Sequence, residues 1–174
     1  FRIRGPVGSP WPVAALQRDA IAVLTNSAQT VVLRFAALAG GNAGHAGAVS
    51  WTRPLPFENA SAPVVARGRI FVAGRSDGRG AVACLSGKGE VLWLRPVPLD
   101  GATASLLPYE RGVLATDVRG GAVRLLPDGD TAWVTGGLDE ALAQRLAPTL
   151  AKGALVVPGS SVRLIEPQSG RLLA

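Results

Sequence analysis

A five-residue pattern recurs along this chain at a nearly fixed interval. Gly47-Ala48-Val49-Ser50-Trp51, Gly89-Glu90-Val91-Leu92-Trp93, Gly129-Asp130-Thr131-Ala132-Trp133 and Gly170-Arg171-Leu172-Leu173-Ala174 share one frame, with glycines 42, 40 and 41 residues apart. A period of that size marks tandem structural units, so a fold proposed for one unit must serve all of them. Ahead of each pattern lies an apolar run, at 31–38, 81–85, 122–126 and 162–165, that reads as a strand entering a tight turn. A second apolar run precedes it, at 20–24, 69–73, 112–115 and 154–157, introduced by Asp19 in the first unit and by Gly68, Gly112 and Gly153 in the others. Earlier still comes a proline-headed segment beginning at Pro12, Pro63, Pro108 and Pro148. Each unit therefore offers four short strands.

Four strands in about forty residues cannot bury both faces alone, and twisted sheets of this size are stabilised by packing on copies of themselves. Radial stacking about an axis achieves this while leaving only short edges, so the expected fold is all-β, a β-propeller of four-stranded antiparallel blades with about four blades in the chain. Composition agrees: 22 glycines and 13 prolines with only 17% charged residues suit many short strands and turns. The reading gives one propeller domain or segment over 1–174, with blades at about 6–53, 54–96, 97–135 and 136–174 and residues 1–5 as an outer strand completing a neighbouring or the last blade. Trp51, Trp93 and Trp133 then lie in outermost strands, where each ring can fill the space between blades and bury on the order of 200 Å². Gly47, Gly89, Gly129 and Gly170 complete this blade-docking set. Phe1-Arg2-Ile3-Arg4 matches the residues that follow Trp93, and Ala174 falls where the fourth repeat wants its Trp. The expected arrangement is a partial propeller, the remainder of a longer ring or a homodimer of two halves making eight blades.

The units resemble the quinoprotein-type (PQQ-like) propeller repeat, whose pattern runs from a small-Pro-apolar strand to Leu-x-x-x-Thr-Gly-x-x-x-Trp. The second unit carries it as Ala62-Pro63-Val64-Val65 through Leu85-Ser86-Gly87-Lys88-Gly89-Glu90-Val91-Leu92-Trp93, and the fourth as Ala147-Pro148-Thr149-Leu150 through Ile165-Glu166-Pro167-Gln168-Ser169-Gly170. One branch of the family consists of dehydrogenases holding pyrroloquinoline quinone with calcium; another consists of non-catalytic, BamB-like propellers of the bacterial envelope. The dehydrogenase branch implies paired cysteines and a calcium shell. Cys84 stands alone, and Asn26, Asn42 and Asn59 have no matching Glu/Asp constellation, so no cofactor, no metal and no enzymatic activity are expected.

Other chemistry is thin. His45, the one histidine, lies in the glycine-rich stretch 40–47, and no nucleophile elbow surrounds Ser160 or Ser161. Asn59-Ala60-Ser61 matches a glycosylation sequon too short to weigh. Residues 138–146 carry leucines at i, i+4 and i+8 behind Asp139 and Glu140, the pattern of a short amphipathic helix. Net charge is +6, and all basic residues except Lys88 and Lys152 are Arg, but they are spread singly over a surface read as solvated, so nucleic acid is not an expected partner. No apolar run is long enough for a transmembrane helix, and no leader pattern surrounds Phe1.

Partner recognition is expected at the loops that crowd one rim, with Arg75, Asp77, Arg79, Asp117 and Arg119 as candidates beside the stretch 54–59. The functional expectation is a non-enzymatic scaffold for a protein or peptide, periplasmic or extracellular in the bacterial envelope. Two alternatives remain open: a fragment of a PQQ-dependent dehydrogenase lacking its catalytic blades, and a polyanion-binding surface domain.

Overall fold

The computed structural model describes residues 13–15, 19–25, 30–36, 48–58, 60–99, 103–117, 119–136, 148–158 and 162–174. Their regular structure is all strand. A first sheet joins β1 (Val13–Ala15), β2 (Asp19–Thr25), β3 (Thr30–Ala36) and β4 (Ala48–Leu55). A second joins β5 (Val64–Ala66), β6 (Arg69–Ser76), β7 (Arg79–Leu85) and β8 (Val91–Pro96). A third joins β9 (Thr103–Tyr109), β10 (Gly112–Asp117), β11 (Ala122–Leu125) and β12 (Thr131–Thr135). The last contains β13 (Thr149–Ala151), β14 (Ala154–Val157) and β15 (Arg163–Ile165). Every pairing is antiparallel between consecutive strands, so each sheet is a meander. Beside β15 a further row starts: Leu172 bridges Ile165, Leu173 N–H donates to Leu164 O at 2.7 Å and Leu164 N–H donates to Ala174 O at 2.8 Å.

The middle strands read as continuous apolar runs because both their faces are buried, and strand alternation divides each between two interfaces. Ile70 and Val72 of β6, with Ala81, Ala83 and Leu85 of β7, pack on Leu55, the last residue of β4, and on Phe57 just after it. Phe71, Ala73, Val82 and Cys84 turn the other way, onto Leu106, Val113, Ala115, Val123 and Leu125 of the third sheet. The third sheet's opposite face presents Leu114 and Ala122 to Leu155, Val157 and Ile165 of the fourth. Successive sheets thus share successive cores. Gly74 is required by this packing, since a Cβ there would sit 2.7 Å from the Cβ of the fully buried Phe57.

One irregularity recurs in step with the repeat. The register slips between Arg34 and Phe35, between Cys84 and Leu85, and between Arg124 and Leu125. In each case the residue just before the slip pairs with the sheet's tryptophan: Arg34 with Trp51, Cys84 with Trp93, Arg124 with Trp133. A bulge adds local twist and re-aims a side chain, which here is the indole.

The third unit departs from the frame read in the sequence. Pro108 is the penultimate residue of β9 rather than its head, and Gly112 is the first residue of β10 rather than part of the turn. The turn is made by Glu110 and Arg111, with Glu110 in the left-handed region at φ 52. Arg67-Gly68 and Lys152-Gly153 hold the corresponding places in the second and fourth sheets. Gly112 is small for another reason: a Cβ would meet the carbonyl oxygen of Leu125 at 2.1 Å. Pro108 is tolerated because β9 is an edge strand, where a missing N–H interrupts no ladder. The helix expected at 138–146 and the outer strand expected at 1–5 lie outside the described residues, as do Gly47, His45, Asn59, Ser160 and Ser161.

Candidate functional site

The tryptophan and glycine of the repeat meet across the sheet boundary. Trp51 Nε1–H donates to Gly87 O at 3.2 Å, Trp93 Nε1–H to Pro127 O at 2.9 Å and Trp133 Nε1–H to Pro167 O at 2.9 Å, each acceptor lying in the next sheet's last turn. The ring covers that turn's glycine. A Cβ added at Gly89, Gly129 or Gly170 would come within 2.6, 2.9 or 2.7 Å of Trp51, Trp93 or Trp133 respectively. All three glycines also hold φ between 75 and 92, where only glycine is unstrained. The contact is apolar and wedge-like, with one hydrogen bond fixing its direction, and it joins sheets rather than opening a cavity.

Arginine reinforces the same boundary, which single-residue spacing in the sequence does not reveal. Arg53 Nε–H donates to Gly89 O at 2.8 Å, and Arg69 Nη1–H donates to the Pro127 carbonyl that also receives Trp93. Arg124 is buried. Its guanidinium donates to Glu110 Oε2 at 2.7 Å, to Gln168 O at 2.9 Å and to Gln168 Oε1 at 3.0 Å, and lies 5.0 Å from the centroid of the Tyr109 ring. The expectation of an arginine set that is simply solvated is therefore corrected for Arg124. Its position in the register is the one Cys84 occupies in the second sheet, opposite the tryptophan.

The rim candidates fall into two hairpins at the same end of neighbouring sheets. Arg75, Asp77 and Arg79 are exposed on the β6–β7 hairpin, whose two turn residues Asp77 and Gly78 take φ 51 and 77. Glu58 pairs with Arg75 through both backbone groups, at 2.8 and 3.0 Å, so the stretch after β4 lies along this hairpin. In the β10–β11 hairpin the two candidates diverge. Arg119 is exposed, whereas Asp117 is buried and its Oδ1 accepts from Arg119 N–H at 2.9 Å and Gly121 N–H at 2.7 Å. Asp117 thus shapes its own turn. Arg163, which the sequence did not single out, reaches back from β15 to donate to Gly120 O at 3.4 Å and Gly136 O at 3.2 Å.

Little here resembles catalytic chemistry. Among the described residues no three His, Cys, Asp or Glu side chains gather as a metal would require, and no helix is long and apolar enough to cross a membrane. Cys84 is fully buried, and burial pushes its thiol up to about 11 against the opposing pull of Arg69, so it holds its proton at neutral pH.

No family model matches the sequence, and no curated protein matches it. Solved structures do. BamB from Moraxella catarrhalis superposes with TM-score 0.65 at 16% identity over 93% of this chain and 46% of its own. The AfRom2 CNH domain gives 0.61 at 12% identity over 99% of this chain and 55% of its own. HIRA(644-1017) gives 0.54 at 16% identity over 99% of this chain and 55% of its own. The chain thus spans about half the length of the structures it resembles. At such identities the likeness shows the fold alone, and with the meander sheets and their shared cores it establishes an all-β propeller architecture.

Proposed function

We propose that this chain is a non-enzymatic propeller scaffold that holds a protein or peptide partner at the rim carrying the β6–β7 and β10–β11 hairpins. The observation behind the reading is a contrast within that rim. Arg75, Arg79 and Arg119 stand exposed on turns whose backbones are fixed by Glu58 and by the buried Asp117 carboxylate. Side chains free to contact a partner on a backbone that cannot relax are what recognition loops require. The PQQ-like repeat pattern and the likeness to BamB together support a BamB-like role in the bacterial envelope. In this reading the remaining blades come from a second copy or from the rest of a longer ring.

The test is site-specific photocrosslinking in the cell of origin, with the photoreactive residue placed at Arg79, at Arg119 and, as a control, at Lys88 on the opposite rim. A discrete protein adduct from positions 79 and 119, absent from 88 and lost in Arg75→Gln, supports the scaffold. Smears of equal strength from all three positions would refute it, as would reduction of an electron-acceptor dye by the purified chain given pyrroloquinoline quinone and calcium.

A further inference from the structure

The rim opposite the proposed recognition loops carries a cleft between the second and third sheets. Its volume is ≈ 400 Å³, within the range of small-ligand and side-chain pockets. It is lined by Arg67 of the β5–β6 turn, by Tyr109, Glu110 and Arg111 of the β9–β10 turn, by Arg124, and by Leu125 to Pro127 leading out of β11. From this cleft we infer that the molecule binds an acidic peptide segment of a partner protein, its carboxylate received by Arg67 and Arg111. This rests on the scaffold reading and adds to it a second contact, on the other rim, for a segment of stated chemistry.

Donors and acceptors in the cleft are unevenly matched. On the acceptor side, Glu110 directs Oε2 to Arg124, and the Pro127 carbonyl is engaged by both Trp93 and Arg69. Asp128, the next carboxylate along, accepts from Asp130 N–H at 3.1 Å within its own turn. Among donors, Arg124 is occupied by Glu110 and Gln168. Arg67 and Arg111 are exposed, and among the described residues neither makes an ion pair or a side-chain hydrogen bond. Three guanidiniums against one carboxylate in the lining leave an excess of two positive charges. A ligand that satisfies the cleft must therefore bring acceptors and negative charge, and a carboxylate matches the planar guanidinium fork. The Tyr109 ring and the Leu125 to Pro127 wall add apolar surface suited to a peptide rather than to a bare ion.

Backbone geometry fixes the turn that carries the first of these groups. Arg67 takes φ 47 in a two-residue hairpin turn where Asn, Asp or Gly would be unstrained, so its side chain projects from a fixed turn. The same property supplies a clean variant, because Asn tolerates this conformation without the charge.

The test is a fluorescence-polarisation titration of the full chain with a labelled hexaglutamate peptide and a labelled hexaserine control, at low and at physiological salt. The expected result is saturable binding of the glutamate peptide alone. In the double variant Arg67→Asn/Arg111→Gln that binding weakens by roughly tenfold or more, the loss expected of two charge-assisted hydrogen bonds, with the urea midpoint no lower than that of the wild type. The opposite-rim variant Arg75→Gln/Arg79→Gln should bind as the wild type does. Equal binding of both peptides overturns the inference, and so does equal weakening in the two double variants, which would mark diffuse charge attraction. Displacement of the peptide by equimolar inorganic phosphate overturns it in favour of a simple oxyanion site. Failure here with crosslinking at Arg79 and Arg119 intact removes the cleft and leaves the scaffold; loss of both removes the scaffold too.

Discussion

At the scale of single residues the fold depends on positions where nothing larger than hydrogen fits. Gly129 holds φ +92, and its missing Cβ leaves the place that the Trp93 ring takes, 2.9 Å away. An alanine there carries two costs: about 1–2 kcal/mol for a side chain in the left-handed region and roughly 1–3 kcal/mol for displacing a packed ring. Gly129→Ala should therefore lower stability by about 2–5 kcal/mol in urea unfolding; a loss below about 0.5 kcal/mol, the size of an ordinary surface change, would mean the indole is not seated on the turn. Cys84 carries a prediction in pH. Burial raises its thiol from 9.0 to about 11, so the folded chain binds that proton more tightly than the unfolded chain. Below the unfolded value both states are protonated and the contribution is fully present; it is lost as pH rises toward the folded value. Stability of the wild type should fall between pH 9 and 11 more steeply than that of Cys84→Ala, and parallel curves would remove the thiol as the cause. The tryptophans and glycines were legible because the repeat displays them at fixed spacing. Arg53, Arg69 and Arg124 were not, because an arginine that donates across a sheet boundary has the same neighbours in sequence as one that points to water.

At the scale of elements, the middle strands were legible because burial on both faces produces runs such as Ile70-Phe71-Val72-Ala73 that no surface element would carry. The hairpins between first and second strands were harder. Glycine marks the turn in Arg67-Gly68 and Lys152-Gly153, but the third sheet turns through Glu110 and Arg111. A reading anchored on Gly112 and Pro108 therefore shifts the frame. A contact across the sheet accompanies that turn: Arg124 holds Glu110 by its carboxylate, between residues 14 apart in the chain. Lys152 lacks such a tie, as it is exposed and makes no ion pair among the described residues, yet it bears φ 47. Lys152→Asn should accordingly stabilise the molecule by roughly 0.5–1 kcal/mol, since Asn occupies the left-handed region at lower cost. Thermal or urea midpoints check it, and a destabilised variant would show that the Lys152 side chain contributes something the geometry does not reveal.

For the whole molecule, sheets that touch only their neighbours make stability a sum of intrinsic and nearest-neighbour contributions. The third sheet is flanked on both faces, by the core shared with Phe71 and Trp93 on one side and by Leu155, Val157 and Ile165 on the other. The fourth shares only one core with a described sheet, all of β13 is exposed, and Val162 and Leu172 are 63% and 55% exposed. Amides of β10 and β11 should consequently exchange with solvent only through global unfolding, while those of β13 to β15 exchange through a smaller, local opening. Trp133→Ala removes the ring that covers Gly170 and the hydrogen bond to Pro167, so it should speed exchange in β13 to β15 by an order of magnitude or more, as loss of about 1.4 kcal/mol or more implies. Exchange in β6 and β7, one sheet removed from that contact, should stay as it was. Native-state hydrogen exchange read strand by strand separates the two outcomes. If protection falls equally in every sheet, the molecule opens as one cooperative body, and adjacency of sheets is no guide to how a change at one boundary spreads.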